Sequence, residues 1–331
     1  MERQEGFATS HDGAKIYYLQ EYKKGGVPLV FCDGVGCDQY IWKYLREYLR
    51  PHYRLIFWNY RGHGASPNPR SYDELTIENC VEDLRAVLDA LKIQKAVFLG
   101  HSMGVQVILE FCHRNPDRVL GLVPVCGSYG HLLNTFFDTP VLKWIVPPLT
   151  LLFKRRNPLF DLFRKAVFPT RFSYWVGKAA HFGMSDQFLR FEDLMPYMRD
   201  LSEIDFGVFL SMMKNAGKHT AKSYLQEIQS PTLIIAGEED TFTPLWLSVR
   251  MHERIPHSEF QLIPRGQHTG PLEHPDLVNL RVEKFLKERI EPLAPRKKKV
   301  SRKKVIESVV HAEEEEEEFE DPKDMAIRLV L

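Results

Sequence analysis

Short apolar and β-branched runs alternate along this chain with stretches whose apolar positions recur every three to four residues. The runs at 14–19, 28–32, 53–58, 95–100, 119–126, 232–237 and 259–264 predict strands. Several are continuous hydrophobic runs, as expected of strands covered on both faces. Between them, 39–50, 76–92, 103–114, 245–255 and 275–288 carry helical periodicity. In the second of these, Ile77, Val81, Leu84, Leu88 and Leu91 fall on one stripe, and Thr76 offers an N-cap oxygen. Strand–helix alternation implies the α/β class, with a mostly parallel sheet flanked by helices and right-handed crossovers.

The alternation stops between about 128 and 228. That stretch shows no clear strand and is rich in Phe, Trp, Leu and Pro. Its most apolar part, 140–156, is too short to span a bilayer and is interrupted by Lys143 and the Pro147-Pro148 pair. The expected organisation is a sheet core over 1–128 and 229–291, a helical insertion over 129–228, and a charged, disordered tail over 292–331. The tail holds seven basic residues in the nine of 296–304 and eight acidic in the nine of 313–321. Such blocks repel themselves and bury no core.

Composition narrows the function classes. Across 331 residues the 44 Lys/Arg and 44 Asp/Glu cancel, so no chain-wide field draws in nucleic acid. The five cysteines form no CxxC pair, and the N-terminal stretch lacks an apolar leader. Together these point to a reducing, cytoplasmic setting without a disulfide framework. No phosphate-binding Gly-rich lysine loop is present, and His268 and His274 are not spaced as metal ligands on one helix face.

The chemistry concentrates in Gly100-His101-Ser102-Met103-Gly104. A G-x-S-x-G pattern is a weak signal alone. Here it follows a buried strand and opens a helix, which is the setting of a nucleophile elbow. The tight turn demands small neighbours on both sides of the serine, and the helix N-terminus aims free N–H groups at a developing oxyanion. A serine hydroxyl needs a base. His268, in PRGQHTG between the last strand and the last helix, is the candidate; its rival His274 precedes Pro275 and reads as a helix entry. His63 and His101 read as loop or structural residues. For the acid that orients the base, Asp240 in GEEDTFTP has Glu238 and Glu239 as rivals.

Five motifs in order, DGVG, NYRGHGAS, GHSMG, GEEDTFTP and GQHTGPLEHP, resemble the α/β-hydrolase superfamily. The layout is similar to esterases, monoglyceride-lipase-like enzymes and related cap-bearing hydrolases, over roughly 7–130 and 225–290. The resemblance implies Ser102 as nucleophile, His268 as general base and then acid, and Asp240 as orienting carboxylate. It implies backbone N–H groups of Val35 and Met103 as the oxyanion hole, and no metal or organic cofactor. The loop departs from the family's usual HG-x-G: Asp33 replaces the histidine, and its carboxylate is expected to be held by turn amides and to point away from Ser102.

The apolar insertion implies an apolar, lipid-like ester as the small-molecule substrate. Lys154, Arg155, Arg156, Arg164 and Lys165 flank its apolar stretches, so weak contact with an anionic membrane through the insertion or the basic tail is a further expectation. The same fold and serine also serve carbon–carbon bond hydrolysis, lactone opening, acyl transfer and cofactor-free peroxidation, and a non-catalytic binding protein can occupy such a scaffold.

Overall fold

The computed structural model describes residues 2–22, 26–153, 158–179 and 187–293. The charged blocks at 296–304 and 313–321 lie outside them, as do Lys154, Arg155 and Arg156.

Eight strands form one sheet: β1 (Glu2–Thr9), β2 (Lys15–Tyr22), β3 (Pro28–Cys32), β4 (Arg54–Trp58), β5 (Ala96–Ser102), β6 (Val119–Gly127), β7 (Leu233–Gly237) and β8 (Glu259–Ile263). Their order is β1-β2-β4-β3-β5-β6-β7-β8. β1 and β2 pair antiparallel, as do β2 and β4, and the remaining pairs are parallel. The apolar runs therefore account for seven of the strands, and β1 is the addition. Only Ala8 of β1 is buried. An edge strand with its side chains in water needs no apolar period, so the pattern that marks the others is missing from it.

Helices cover both faces, which is why the parallel strands are apolar on both sides. Alternate residues divide between two cores: Val30, Ile56 and Phe98 face one, Leu29, Leu55 and Val97 the other. On the first face pack α2 (Ile77–Ala90) and α3 (Met103–Arg114); on the second, α1 (Lys43–Leu49) and α11 (Pro275–Phe285). The predicted α2 stripe is buried throughout, and the Thr76 side chain accepts the Asn79 N–H at 3.2 Å. All five cysteines are free and buried.

Between β6 and β7 lie α4 (Val141–Leu152), α5 (Pro158–Val167), α6 (Arg171–Ala179), α7 (Phe191–Glu203) and α8 (Phe206–Ala216). α9 (Leu245–Arg254) and the short α10 (Gly270–Glu273) precede α11. α4 runs on through Pro147 and Pro148. Among the described residues, no helix is long and apolar enough to cross a membrane. One expectation needs correction. Arg164 is not a surface cation: its side chain is 1% exposed and donates to the carbonyls of Leu201 and Ile204, with Asp161 as ion partner. It pins α5 to the end of α7, because a buried guanidinium must spend its N–H groups on internal acceptors.

Candidate active site

In a parallel sheet, groups that follow the carboxyl ends of the strands share one edge. Here the loop 33–36 follows β3, Ser102 ends β5, Asp240 follows β7 and His268 follows β8. The sheet runs β3-β5-β6-β7-β8 across this region, so these segments, far apart in the chain, come together at one edge.

Ser102 has φ 55° and ψ −119°, an unfavourable conformation for a residue with a side chain, at the junction of β5 and α3. The neighbouring glycines are steric necessities. A Cβ on Gly104 would stand 2.2 Å from the Cys32 carbonyl oxygen, and one on Gly100 would stand 2.5 Å from that of Gly104. β5, the start of α3 and the end of β3 thus press backbone to backbone, and Ser102 projects from the tightest point.

His268 is tied to Asp240. Its Nδ1 stands 3.0 Å from Oδ2 and 3.2 Å from Oδ1 of the carboxylate. Asp240 also accepts from the N–H groups of Phe242 (2.8 Å) and Thr243 (2.9 Å) and from the Thr243 hydroxyl (2.7 Å). Burial alone pushes the Asp240 pKa up; the charge of His268 and the donated hydrogen bonds outweigh it and hold the group below the ordinary carboxylate value. A carboxylate that accepts a hydrogen bond from Nδ1–H keeps the proton on that nitrogen and leaves Nε2 as the basic nitrogen of the ring. The rivals are elsewhere. Glu238 and Glu239 are exposed, and Glu238 accepts from the Arg265 N–H at 2.8 Å. His274 leads into α11 with its ring against Phe188, centroids 4.6 Å apart.

Ser102 and His268 line the same cavity of about 420 Å³. Val35 lines it as well, and a Cβ on Gly34 would come within 3.1 Å of the Ser102 Cβ, so this loop lies directly against the serine. Among the described residues, no hydrogen bond joins the Ser102 hydroxyl to His268. The remaining wall is overwhelmingly apolar, including Leu132, Phe136, Val146, Met198, Phe209 and Met213.

Two histidines act on the backbone around this cavity. His101 Nε2 donates to the His268 carbonyl at 2.9 Å; burial and the neighbouring His268 charge bring its pKa down to about 3, so it stays neutral. His63 Nε2 accepts the Gly36 N–H at 3.0 Å while its Nδ1 meets the Arg61 carbonyl at 3.1 Å. Burial brings its pKa to about 4, which keeps that accepting nitrogen unprotonated. Both therefore position the loops that carry the candidate site. Thr243 and Phe242, whose ring lies 5.0 Å from that of His268, were not singled out by the sequence. Their only signal is closeness to the acid in TFTP.

Asp33 is buried. Its Oδ1 accepts from Trp42 Nε1 at 2.7 Å and its Oδ2 from the Gln39 N–H at 2.9 Å, so its oxygens face residues 39–42. Burial, partly offset by those donors and reinforced by Asp38 and Asp200, raises its pKa to about 7. Asp200, which accepts the Asp38 N–H at 3.1 Å, is likewise raised to about 7 by burial and by the Asp38 charge. In the unfolded chain such carboxyls release their protons near pH 4. Between about pH 4 and 7 the folded chain therefore binds more protons, and stability falls as pH rises through that window. Asp200→Asn keeps an oxygen for the Asp38 N–H and removes one charge. Melting temperatures from pH 5 to 8 are expected to decline less in the variant than in the wild type, with its advantage greatest at pH 8. Equal slopes would exclude Asp200 as a source of the decline.

The family model described as alpha/beta hydrolase fold matches residues 27–275. "Uncharacterized hydrolase YugF" of Bacillus subtilis is 24% identical over 283 residues, covering 83% of this chain and 96% of its own. Among solved structures, a hydrolase from Pseudomonas aeruginosa superposes with TM-score 0.69 at 22% identity, covering 86% of this chain and 98% of its own. A thermophilic esterase from Thermogutta terrifontis does so with TM-score 0.67 at 23% identity, covering 87% and 99%. At these identities the solved structures show the fold.

Proposed function

Because this chain belongs to the α/β-hydrolase fold family, we propose that it is a serine hydrolase cleaving carboxylic esters with an apolar acyl group. The observation that carries this reading is one cavity lined by both Ser102, held in strained backbone at a strand–helix junction, and His268, whose ring is tied to buried Asp240.

In this reading His268 Nε2 takes the Ser102 proton as the hydroxyl oxygen attacks the ester carbonyl. The carbonyl oxygen gains the negative charge, and the N–H groups of Val35 and Met103 receive it, the latter at the positive end of α3. His268 returns the proton to the departing alcohol, and the acyl group stays on Ser102. Water, deprotonated by the same nitrogen, attacks the acyl carbonyl; the acid leaves and Ser102 recovers its proton. Asp240 keeps the imidazole in the tautomer that leaves Nε2 free. Catalytic hydrogen bonds are commonly long before substrate is bound, so the serine–histidine bond is one that the reading places in the loaded enzyme. The apolar wall supports an acyl chain over a charged substrate, since it offers a charge no partner.

A fluorophosphonate probe with peptide mapping, run beside p-nitrophenyl esters of increasing chain length, tests this. Labelling is expected at Ser102, and turnover is expected to peak at a long chain. Absence of both labelling and turnover in folded protein would overturn the serine-hydrolase reading. A preference for acetate would overturn the apolar-acyl part alone.

A further inference from the structure

A surface helix of a globular protein turns its apolar stripe inward. α5 and α6 do the reverse. Leu159, Leu162 and Phe163 on α5, and Phe172, Trp175 and Val176 on α6, repeat one i, i+3, i+4 spacing, and all six are exposed. α4 adds Trp144 at 74% exposure and Leu152 at 72%. Three consecutive helices thus present apolar ridges to solvent, far beyond the scattered apolar residues of an ordinary surface. The inner side of α4, through Val146 and Leu149, lines the cavity that holds Ser102.

Charge discriminates among occupants of this surface. Residues 141–179 carry eight Lys/Arg and a single acid, Asp161; Asp161 pairs with buried Arg164 and Lys165 pairs with Glu203 of α7, and beyond these two pairs the stretch holds six more cations. A second copy would bring the same positive excess against itself. An anionic lipid surface meets it with opposite charge, and exposed tryptophans beside lysines and arginines suit the boundary between headgroups and acyl chains. α4, α5 and α6 have 12, 10 and 9 residues, lengths suited to lying in that boundary and not to crossing the bilayer.

We propose that α4, α5 and α6 form a docking surface for an anionic lipid bilayer, with their outer apolar ridges inserted among the headgroups. Docking places the cavity wall formed by α4 next to the membrane. It does not depend on the hydrolase chemistry, and Ser102→Ala protein is expected to dock like the wild type.

The test is flotation of the full chain with vesicles of equimolar phosphatidylcholine and phosphatidylglycerol, beside vesicles of phosphatidylcholine alone. Wild type is expected to float with the anionic vesicles and to lose at least tenfold in partitioning on the neutral ones. A variant carrying Trp144→Glu, Leu152→Glu, Phe172→Glu and Trp175→Glu retains the basic segment 296–304 and is expected to lose at least tenfold on the anionic vesicles. Quenching of wild-type tryptophan emission by lipids brominated along the acyl chain reads insertion without any substitution, so a misfolded variant leaves the proposal testable. Wild type that stays off anionic vesicles overturns the proposal. So does a folded variant that binds as well as wild type, which would assign binding to the tail. A dimer that the variant dissociates, without vesicle binding by the wild type, would give the surface to a second copy.

Discussion

Ser102→Ala is expected to lower ester turnover by about 10⁴-fold or more and to abolish fluorophosphonate labelling, with the fold intact. The size follows from the chemistry: without the oxygen there is no acyl-enzyme, and a slow attack by water is all that remains. The intact fold follows from the site. The Ser102 side chain makes no hydrogen bond among the described residues, so its removal orphans no partner. Alanine inherits the same positive-φ backbone, which Gly100 and Gly104 already accommodate. The change in stability is expected within about 1 kcal/mol. Steady-state turnover, mass spectrometry after labelling and a melting curve check the three parts. Unchanged turnover would remove Ser102 as nucleophile.

Asp240→Asn is expected to cost on the order of 10⁴-fold in kcat while leaving Ser102 in place. The reason lies in the four donors around this carboxylate: His268 Nδ1, the N–H groups of Phe242 and Thr243, and the Thr243 hydroxyl. Asparagine has one acceptor oxygen. If that oxygen faces the two backbone N–H groups, the new amide group donates to His268 Nδ1, which shifts the ring proton to Nε2 and takes away the base. If it faces His268 instead, two buried N–H groups lose their acceptor, at about 1–3 kcal/mol for each group left unsatisfied. Turnover and labelling rate fall together in the first case, and the melting temperature falls in the second. A variant with wild-type kcat would exclude Asp240 as the orienting acid.

Much of the fold could be read along the chain. Strands such as 28–32 and 95–100 stand out because burial on both faces makes them apolar without interruption, and the α2 stripe stands out because one face of a helix is buried. β1 could not be read this way, since an edge strand with exposed side chains carries no such period. Arg164 was misplaced for a related reason. A basic residue beside apolar ones looks like a solvated cation until the carbonyls of Leu201 and Ile204, nearly forty residues on, are seen to take its N–H groups.

The candidate site divides in the same manner. What the sequence by itself determined is local: the glycines that a serine between a strand and a helix demands, and the polar loops that end buried strands. Sterics at the elbow and burial along a strand act within a few residues, so they leave their mark in consecutive letters. The sequence offered Asp240 beside Glu238 and Glu239 and read His274 as a helix entry; only the tertiary structure put Asp240 within hydrogen-bond reach of His268, gave His63 and His101 their contacts to loop backbone, and turned Asp33 toward Trp42 and Gln39. Each of those outcomes depends on which strand ends lie side by side in the sheet and on hydrogen bonds a few ångströms long. Adjacency across a sheet is set by packing, which no stretch of neighbouring residues encodes.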